Sequence, residues 1–260
     1  MVLSATVHKE REMADIFRLV ELLRGRPIHI CGLGSLGAPV AENLFRKRVP
    51  ELHLWDHDIV EGRNRFNQRV RAKDIGKPKV LVRGDILHGI YPDSATKLVL
   101  HQERVVAGTK LSGIVIAAVD WNRIRYEEVL PCVKGNTEVS FFADGRVGMD
   151  GGKVYGFDPN NEYHVMRYED PVHNHPDPEH AEANAACKSE FAFPENADIV
   201  AGKVLWRLTR WLQLEDGCAD PYDNFVGFQY IPREIMLTEQ WDEGTIGAMS
   251  RQKDGLAESE

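Results

Sequence analysis

Three glycines with the spacing G-x-G-x-x-G constrain this chain more than any other stretch of it. Gly32, Gly34 and Gly37 follow a short apolar run at 27–31, and a helical pattern begins near Ser35. In a strand–turn–helix unit the first glycine allows a tight turn. The second lets a phosphate approach the backbone, and the third lets the helix pack on the strand. The helix start also directs free N–H groups at the phosphate, so the pattern predicts a nucleotide site.

The composition restricts the classes of protein that the chain can belong to. Its 260 residues are 43% hydrophobic, which is enough for a large core, and the formal net charge is −8. General nucleic-acid binding usually needs a basic surface, so we expect none. No apolar run approaches the roughly 18–20 residues of a membrane span, so we expect no membrane contact. Residues 1–15 lack the apolar stretch of a secretory signal, and we expect a cytoplasmic protein.

Hydrophobic periodicity predicts an α/β fold, a Rossmann-like sheet with flanking helices, extended by additional β-strands and a C-terminal helix. Pro78 is expected in the first turn of its helix, where its missing N–H is not needed. The predicted helices are 10–24, 35–47, 77–90, 123–133 and 197–214, and the strands are 28–32, 51–56, 97–101, 113–120, 137–142, 153–157 and 225–236, the last as one strand or a pair.

The same reading predicts a single domain over residues 1–246. Its nucleotide-binding half is 27–135, its second half, with a crossover loop, is 136–246, and residues 247–260 form a flexible tail. Residues 160–186 are polar and proline-rich, and we expect a long loop with short helical pieces there.

The residues after the glycines bear on which nucleotide binds. Asp56 lies 19 positions after Gly37, where an acid holds the ribose of a dinucleotide, so a dehydrogenase is one interpretation. However, Asp58 follows at once, Lys79 lies further on, and a third buried strand ends at Asp120. Hydride transfer needs no such array of charges near phosphates. Attack on a phosphate of a nucleoside triphosphate needs such an array, because cations neutralise phosphate charge and a carboxylate holds magnesium.

Four motifs also follow one another in a fixed order over residues 10–215. They are Gly32-Leu33-Gly34-Ser35-Leu36-Gly37, Asp56-His57-Asp58-Ile59-Val60-Glu61 with Asn64 and Gln68, Asp74-Ile75-Gly76-Lys77-Pro78-Lys79, and Val119-Asp120. Together they resemble the ThiF/MoeB/HesA adenylyltransferases, the superfamily of ubiquitin-activating enzymes.

The resemblance implies an enzyme that binds ATP with Mg²⁺ and adenylates the C-terminal glycine of a small ubiquitin-like or sulfur-carrier protein, as a homodimer. It implies a phosphate-binding turn, a ribose contact at Asp56, a phosphate contact at Lys79 and a magnesium ligand at Asp120. The residues it places at the nucleotide are Gly32, Gly34, Gly37, Asp56, Asp58, Asn64, Asn67, Gln68 and Lys79, and the catalytic set is Cys187, Lys79 and Asp120.

Two departures from the family pattern stand out. The family usually has Asn-x-x-Arg-Gln, whereas this chain has Asn67 at the arginine position, and Arg65 or Arg69 would have to supply the charge. The family's zinc-binding cysteine pairs are also missing. The first pair is expected at 164–167, which contains no cysteine, so we expect no structural zinc. The four scattered cysteines agree with this. Either departure is also compatible with an inactive relative.

Cys187 lies in a polar loop before the last long helix, at the position of a reactive cysteine in sulfur-carrier activators. It is either a thiol that accepts the activated carrier, with its pKa lowered by Lys188 or a helix N-terminus, or an ordinary half-buried cysteine. Cys31 ends a buried strand and is expected in the core. The histidines at 173, 175 and 180 are more typical of a solvated loop than of a metal site.

Three charged residues allow two interpretations each. Arg123 and Arg125 either reach the phosphates or pair with Glu127 and Glu128 on an exposed helix face. Asp144, in the segment 144–146, is either near the site or part of a turn with an ion pair.

Three other functions remain open from the sequence. They are adenylation of a peptide or of a tRNA substituent, an NAD-dependent oxidoreductase, and an inactive scaffold partner.

Overall fold

The computed structural model describes residues 20–148, 151–170, 194–215, 217, 223–229 and 235–241. Residues 20–23 are helical, whereas the rest of the predicted N-terminal helix lies outside the described residues. The elements are β1 (Ile28–Cys31), α1 (Gly37–Arg46), β2 (Glu51–Trp55), α2 (Lys79–Ile90), β3 (Lys97–His101), β4 (Gly113–Ala117), α3 (Leu130–Val133), β5 (Val139–Val147), β6 (Gly151–Phe157), α4 (Glu162–Glu169), α5 (Pro194–Glu215), β7 (Phe225–Gln229) and β8 (Ile235–Glu239).

All eight strands form one sheet in the order β3-β2-β1-β4-β5-β6-β7-β8. The first five strands in this order are parallel, and β6, β7 and β8 add antiparallel strands to the edge at β5. The chain leaves β1 toward β2 on one side and returns to β4 on the other. Ligands bind at the carboxyl ends of strands where the order reverses in this way. The predicted Rossmann-like sheet with additional strands and a C-terminal helix is confirmed.

Helices cover both faces of the sheet, and each face has its own apolar core. On one face α1 packs on β1 and β2, α2 packs on β3 and α5 packs on β5 and β6, with Val40, Leu44 and Val204 among the buried residues. On the other face the segment after β4 and helix α4 cover an aromatic core that includes Phe142 and Tyr168. The central parallel strands β1 and β4 are buried on both faces, which explains why β4 is a continuous apolar run.

Two predicted elements differ from the structure. Helix α2 begins at Lys79, because Pro78 has an extended ψ of 133° and forms a β-bridge with Ile59, so Pro78 precedes the first turn. The predicted helix 123–133 is helical throughout, but Ile124–Val129 is π-helical, and the α-helix α3 begins at Leu130. Among the described residues, no helix is long and apolar enough to span a membrane.

Candidate nucleotide site

The glycine turn joins β1 to α1 at the point where the sheet order reverses. Gly32 has a φ of +95°, which favours glycine, and its N–H donates to the Trp55 carbonyl at 2.8 Å. A Cβ on Gly37 would overlap the carbonyl oxygen of Gly32, so only glycine lets the helix start this close to the turn. Gly34 lies between them and lines the cavity described below. The turn therefore has the close packing that the spacing predicts.

Asp56 follows β2 and connects it to the glycine turn. One carboxylate oxygen, Oδ2, accepts the N–H of Leu33 at 2.7 Å, and Oδ1 accepts the N–H of Asp58 at 2.8 Å. The residue is buried, and burial raises the pKa of its carboxyl above the ordinary value, although Lys79 and the two backbone donors oppose that shift. Each oxygen retains acceptor capacity, which is what a ribose hydroxyl requires.

Lys79, the first residue of α2, extends into the same site. Its Nζ donates to Oδ2 of Asp58 at 2.8 Å, and the side chain is about 9% exposed whereas that of Asp58 is half exposed. Burial alone would lower the pKa of Lys79, but Asp56, Asp58 and Asp120 together raise it. The ammonium therefore carries its charge at neutral pH, and Asp58 holds it beside the glycine turn.

Asp120 lies three residues beyond β4 and lines the same cavity. It is exposed, and its backbone carbonyl accepts a hydrogen bond from Arg125 at 3.2 Å. An exposed carboxylate at the carboxyl end of a central strand is available to a divalent cation that also contacts a phosphate.

These residues line one cavity of about 540 Å³, a volume typical of small-molecule sites. Three of the lining residues are acids and three are permanent cations, and the predicted residues present are Gly32, Gly34, Asp56, Asp58, Lys79 and Asp120. Arg123, for which a phosphate contact was one of the two interpretations, also lines the cavity. Arg104, Trp55 and Trp121 line it as well and had not been assigned to a nucleotide site from the sequence. Their positions at or just after the ends of β2, β3 and β4 were the available signal.

Gly37, Asn64, Asn67 and Gln68 lie outside the cavity lining. Asn64 is buried, and its Oδ1 accepts the N–H of Glu61 at 2.8 Å, so it caps a 3₁₀ turn at Gly62–Phe66. The Nε2 of Gln68 lies near Gly34, about 3.8 Å from where a Cβ on that glycine would stand. These buried amides therefore support the wall beside the glycine turn, and a direct phosphate contact by them stays a prediction.

The two arginines proposed to replace the missing family arginine lie in different environments. Arg69 bridges Glu42 of α1 and Asp198 of α5, at 3.1 and 2.7 Å, so its guanidinium holds the turn to two helices. Arg65 is exposed. Of these two, Arg65 is the one whose side chain is available to a ligand.

Arg123 and Arg125 behave differently from each other. Arg123 pairs with Glu127 at 3.8 Å, as one interpretation predicted, and also lines the cavity. For Arg125 both interpretations are wrong, because its side chain turns into the protein and binds Asp144 at 2.8 Å. Asp144 forms its predicted ion pair, but within strand β5 and not in a turn. Arg123 lies just before the π-helical turn at Ile124–Val129 and keeps its i,i+4 pair with Glu127, whereas Arg125 lies within the turn and binds a partner in β5.

The structure tests one of the two cysteine predictions. Cys31 is buried in the core as expected, and burial raises the pKa of its thiol. Cys187 and the histidine cluster lie outside the described residues. Within the described part of the chain, one group could hold a metal ion by the spacing of its ligand atoms, formed by Asp56, His57 and Asp58.

The family assignment rests on a match over most of the chain. The model of the ThiF family matches residues 15–234. The chain belongs to the ThiF family. The resemblance read from the four motifs is thereby confirmed, and this ThiF protein is a member of an adenylyltransferase family.

Two curated relatives match short stretches of the chain. The uncharacterized protein y4qC of Sinorhizobium fredii is 42% identical over 60 residues, which cover 23% of this chain and 10% of the relative. Ubiquitin-like modifier-activating enzyme 5 of Dictyostelium discoideum is 36% identical over 73 residues, or 28% of this chain and 19% of the relative. Both matches cover far less than two thirds of the relatives' lengths.

Solved structures share the fold of this ThiF protein at low sequence identity. MccB of E. coli, solved with ATP, has a TM-score of 0.64 at 15% identity, covering 85% of this chain and 65% of MccB. The E. coli tRNA N6-threonylcarbamoyladenosine dehydratase TcdA has a TM-score of 0.55 at 15% identity, covering 78% of this chain and 92% of TcdA. These likenesses establish the fold, whereas substrate and partner remain to be argued from the site.

Proposed function

We propose that this ThiF protein uses ATP to adenylate a C-terminal carboxylate of a small protein, with a ubiquitin-like or sulfur-carrier protein ending in Gly-Gly as the substrate class. The observation that carries the proposal is the convergence of Asp56, Lys79 and Asp120 on one cavity beside the glycine turn. Residues 1–246 would act as one adenylation domain in a cytoplasmic homodimer.

Asp56 and Lys79 each have a role in this reaction. Asp56 accepts the ribose hydroxyls while its backbone donors keep the carboxylate in place. Lys79 donates to phosphate oxygens and offsets the charge that develops as pyrophosphate leaves. The substrate carboxylate oxygen attacks the α-phosphorus, the bond from that phosphorus to the β-bridging oxygen breaks, and an acyl adenylate forms. Positioning and charge stabilisation supply most of the catalysis in such transfers.

The donor set fits a magnesium ion at Asp120. An oxygen ligand that is exposed and close to Lys79 suits an ion that keeps several waters and contacts phosphate. When bound with ATP, the ion supplies further neutralisation of phosphate charge. Asp120 is the carboxylate that we assign to the metal, because it is exposed and lines the cavity at the carboxyl end of β4.

Cys187 is the proposed acceptor after adenylation. Its thiolate would attack the acyl carbon, a thioester would form and AMP would leave. A covalent adduct with the carrier that survives denaturation without reductant, and is missing in Cys187→Ala, supports this role. Equal adduct formation by the variant would return Cys187 to a structural role.

ATP–pyrophosphate exchange is the experiment that tests the proposal. Purified protein is assayed with small proteins ending in Gly-Gly, with Asp120→Asn as the inactive control and Asp158→Asn as a matched control far from the cavity. Exchange that depends on the carrier and on Asp120 is expected. Exchange that persists in Asp120→Asn would exclude the metal assignment. Failure with every carrier, together with tight NADH binding, would instead support the dinucleotide interpretation.

A peptide is the second candidate substrate class, and one observation favours it. Among the solved structures that share this fold, MccB was crystallised with MccA and covers the same 85% of this chain. The same exchange assay with synthetic peptides replacing the carrier distinguishes the two classes. A protein that binds ATP but exchanges with neither class would fit the inactive scaffold.

A further inference from the structure

A buried ion cluster lies directly behind the loop that carries Asp120. Asp144, at the middle of β5, has no exposed surface. Its Oδ1 accepts Nε of Arg125 at 2.8 Å, and its Oδ2 accepts Nε of Arg146 at 2.7 Å and the hydroxyl of Tyr168 at 2.9 Å. Three donors thus converge on one carboxylate in the protein interior.

The charge of this carboxylate is fixed by its neighbours. Burial alone would raise the pKa of Asp144, but Arg125 and Arg146 outweigh burial and hold the pKa below its ordinary value. Arg146 is held in turn by Tyr126, whose hydroxyl accepts from Nη2 at 2.8 Å, and by the Tyr155 ring at 4.6 Å. Buried ion pairs contribute little net stability compared with apolar packing. We therefore looked for the part of the chain that the cluster holds in place.

Arg125 connects the cluster to the Asp120 loop. Its Nη1 donates to the carbonyl of Asp120 at 3.2 Å and to Oδ1 of Asn122 at 3.3 Å. Its Nη2 donates to the carbonyl of Val119 and, at 3.3 Å, to the carbonyl of Gly145 in β5. The planar guanidinium thus joins two backbone carbonyls in the loop after β4 to the neighbouring strand β5.

We propose that Arg125, oriented by Asp144, is a positioning residue that holds the Asp120 carboxylate where it binds the divalent cation. Arg125 does not line the cavity, so it acts through the Asp120 loop and not on the nucleotide. A residue that fixes a metal ligand from behind usually changes metal affinity about 10- to 100-fold when it is replaced. The inference rests on the proposed function, because that function assigns the cation to Asp120.

Arg125→Lys and Asp144→Asn test this inference. Lysine keeps the charge but loses the planar fork that reaches several carbonyls at once. Mn²⁺ binding is measured by electron paramagnetic resonance in the presence of α,β-methylene ATP, and nucleotide binding is measured separately without metal. Arg167→Lys is the matched control, since Arg167 forms ion pairs with Asp170 and Glu239 away from the cavity.

We expect Mn²⁺ to bind about 10- to 100-fold more weakly in both variants, with nucleotide affinity and cooperative unfolding retained, and no change in the control. Unchanged Mn²⁺ affinity in folded Arg125→Lys would overturn the inference. If Asp144→Asn cannot be purified, Tyr168→Phe is used in its place, because it removes one hydrogen bond from the same carboxylate. Weaker Mn²⁺ binding in this variant supports the inference, and unchanged Mn²⁺ binding contradicts it.

The two proposals fail in different ways. Absence of exchange in the parent protein with every substrate contradicts the proposed adenylation, while Mn²⁺ binding with the nucleotide analogue still tests the role of Arg125. Normal exchange in the parent protein, combined with unchanged Mn²⁺ affinity and unchanged magnesium dependence in Arg125→Lys, contradicts the positioning role alone.

Discussion

Gly37 lies so close to the carbonyl oxygen of Gly32 that a Cβ on it would overlap that atom. The Ala118 side chain lies on another side at 3.3 Å, so the added methyl group has no room to move. Gly37→Ala is therefore expected to destabilise the protein by about 1–3 kcal/mol, as overpacking of a well-packed site does. Urea unfolding measures the effect.

Gly202→Ala is the matched control for that substitution. Gly202 lies inside helix α5, and no atom comes within 4 Å of the position of an added Cβ. Alanine there is expected to stabilise the protein by about 0.5–1 kcal/mol, because glycine loses more backbone freedom on folding. A similar loss of stability in both variants would contradict the packing argument.

Replacing Lys79 with methionine is expected to lower the rate of ATP–pyrophosphate exchange by about 10²- to 10³-fold, the usual effect of removing one donor that stabilises developing charge. The side chain is nearly buried and its Nζ donates to Asp58, so the substitution removes the ammonium group from the cavity. Lys97→Met is the control, because Lys97 is exposed and pairs with Glu51 on β2. Comparable rates in the parent protein and Lys79→Met would exclude the phosphate contact.

Asp56 is expected to be the residue that recognises the ribose. In the parent protein, 2′,3′-dideoxy-ATP should bind about 10- to 100-fold more weakly than ATP, because a hydrogen bond to a charged group is worth roughly 1.5–3 kcal/mol. In Asp56→Asn the two nucleotides should bind with similar affinity. Isothermal titration calorimetry of both nucleotides with both proteins gives the coupling free energy between Asp56 and the ribose hydroxyls directly. A preference for ATP that survives in the variant would assign the ribose to another group.

His29 is expected to make the folded protein sensitive to acid. Burial, together with His53 and His101, lowers its pKa to about 3, and Glu51 opposes this shift only weakly. Between pH 6.5 and 3 the unfolded chain binds a proton at this residue and the folded chain does not. Stability should therefore fall by about 1.4 kcal/mol for each unit that the pH drops below ~6.5.

His29→Asn should reduce that slope in urea unfolding measured across this pH range. Asparagine does not titrate, and its side-chain oxygen can accept the hydrogen bond that Trp55 Nε1 donates to His29 at 3.1 Å. An unchanged slope in the variant would assign the acid sensitivity to other groups.

Much of the fold could be predicted from the sequence because local patterns dictate it. The apolar runs at β1 and β4 need burial on both faces, and the glycine spacing allows a single kind of turn between β1 and α1. Asp56 and Asp120 converge because they follow parallel strands at one edge of the sheet, and Lys79 joins them as the first residue of helix α2. Helix α2 started later than predicted because the backbone at Pro78 pairs with Ile59.

The surroundings of Arg125 could not be predicted from the sequence. Its partner Asp144 is 19 residues away and reaches it through the pairing of β4 with β5. The alternative partner Glu128 lies three residues along the chain, a spacing that brings side chains together on an α-helix, whereas this turn is π-helical. Asn64 shows the same limit, because its type suggests a ligand contact and its place in the fold gives it a capping bond.

The wall of the nucleotide cavity also contains a tryptophan whose indole ring stacks on a histidine. Trp55 lines the cavity, and its ring stacks on the His101 imidazole with centroids 3.5 Å apart and planes 1° from parallel. Its emission should therefore respond when a purine enters the cavity, and again when acid protonates the stacked imidazole, since a cationic ring quenches indole more strongly. The protein thus carries an intrinsic fluorescent reporter of its own occupancy, and Trp55→Phe would separate the response of Trp55 from that of Trp121, which also lines the cavity.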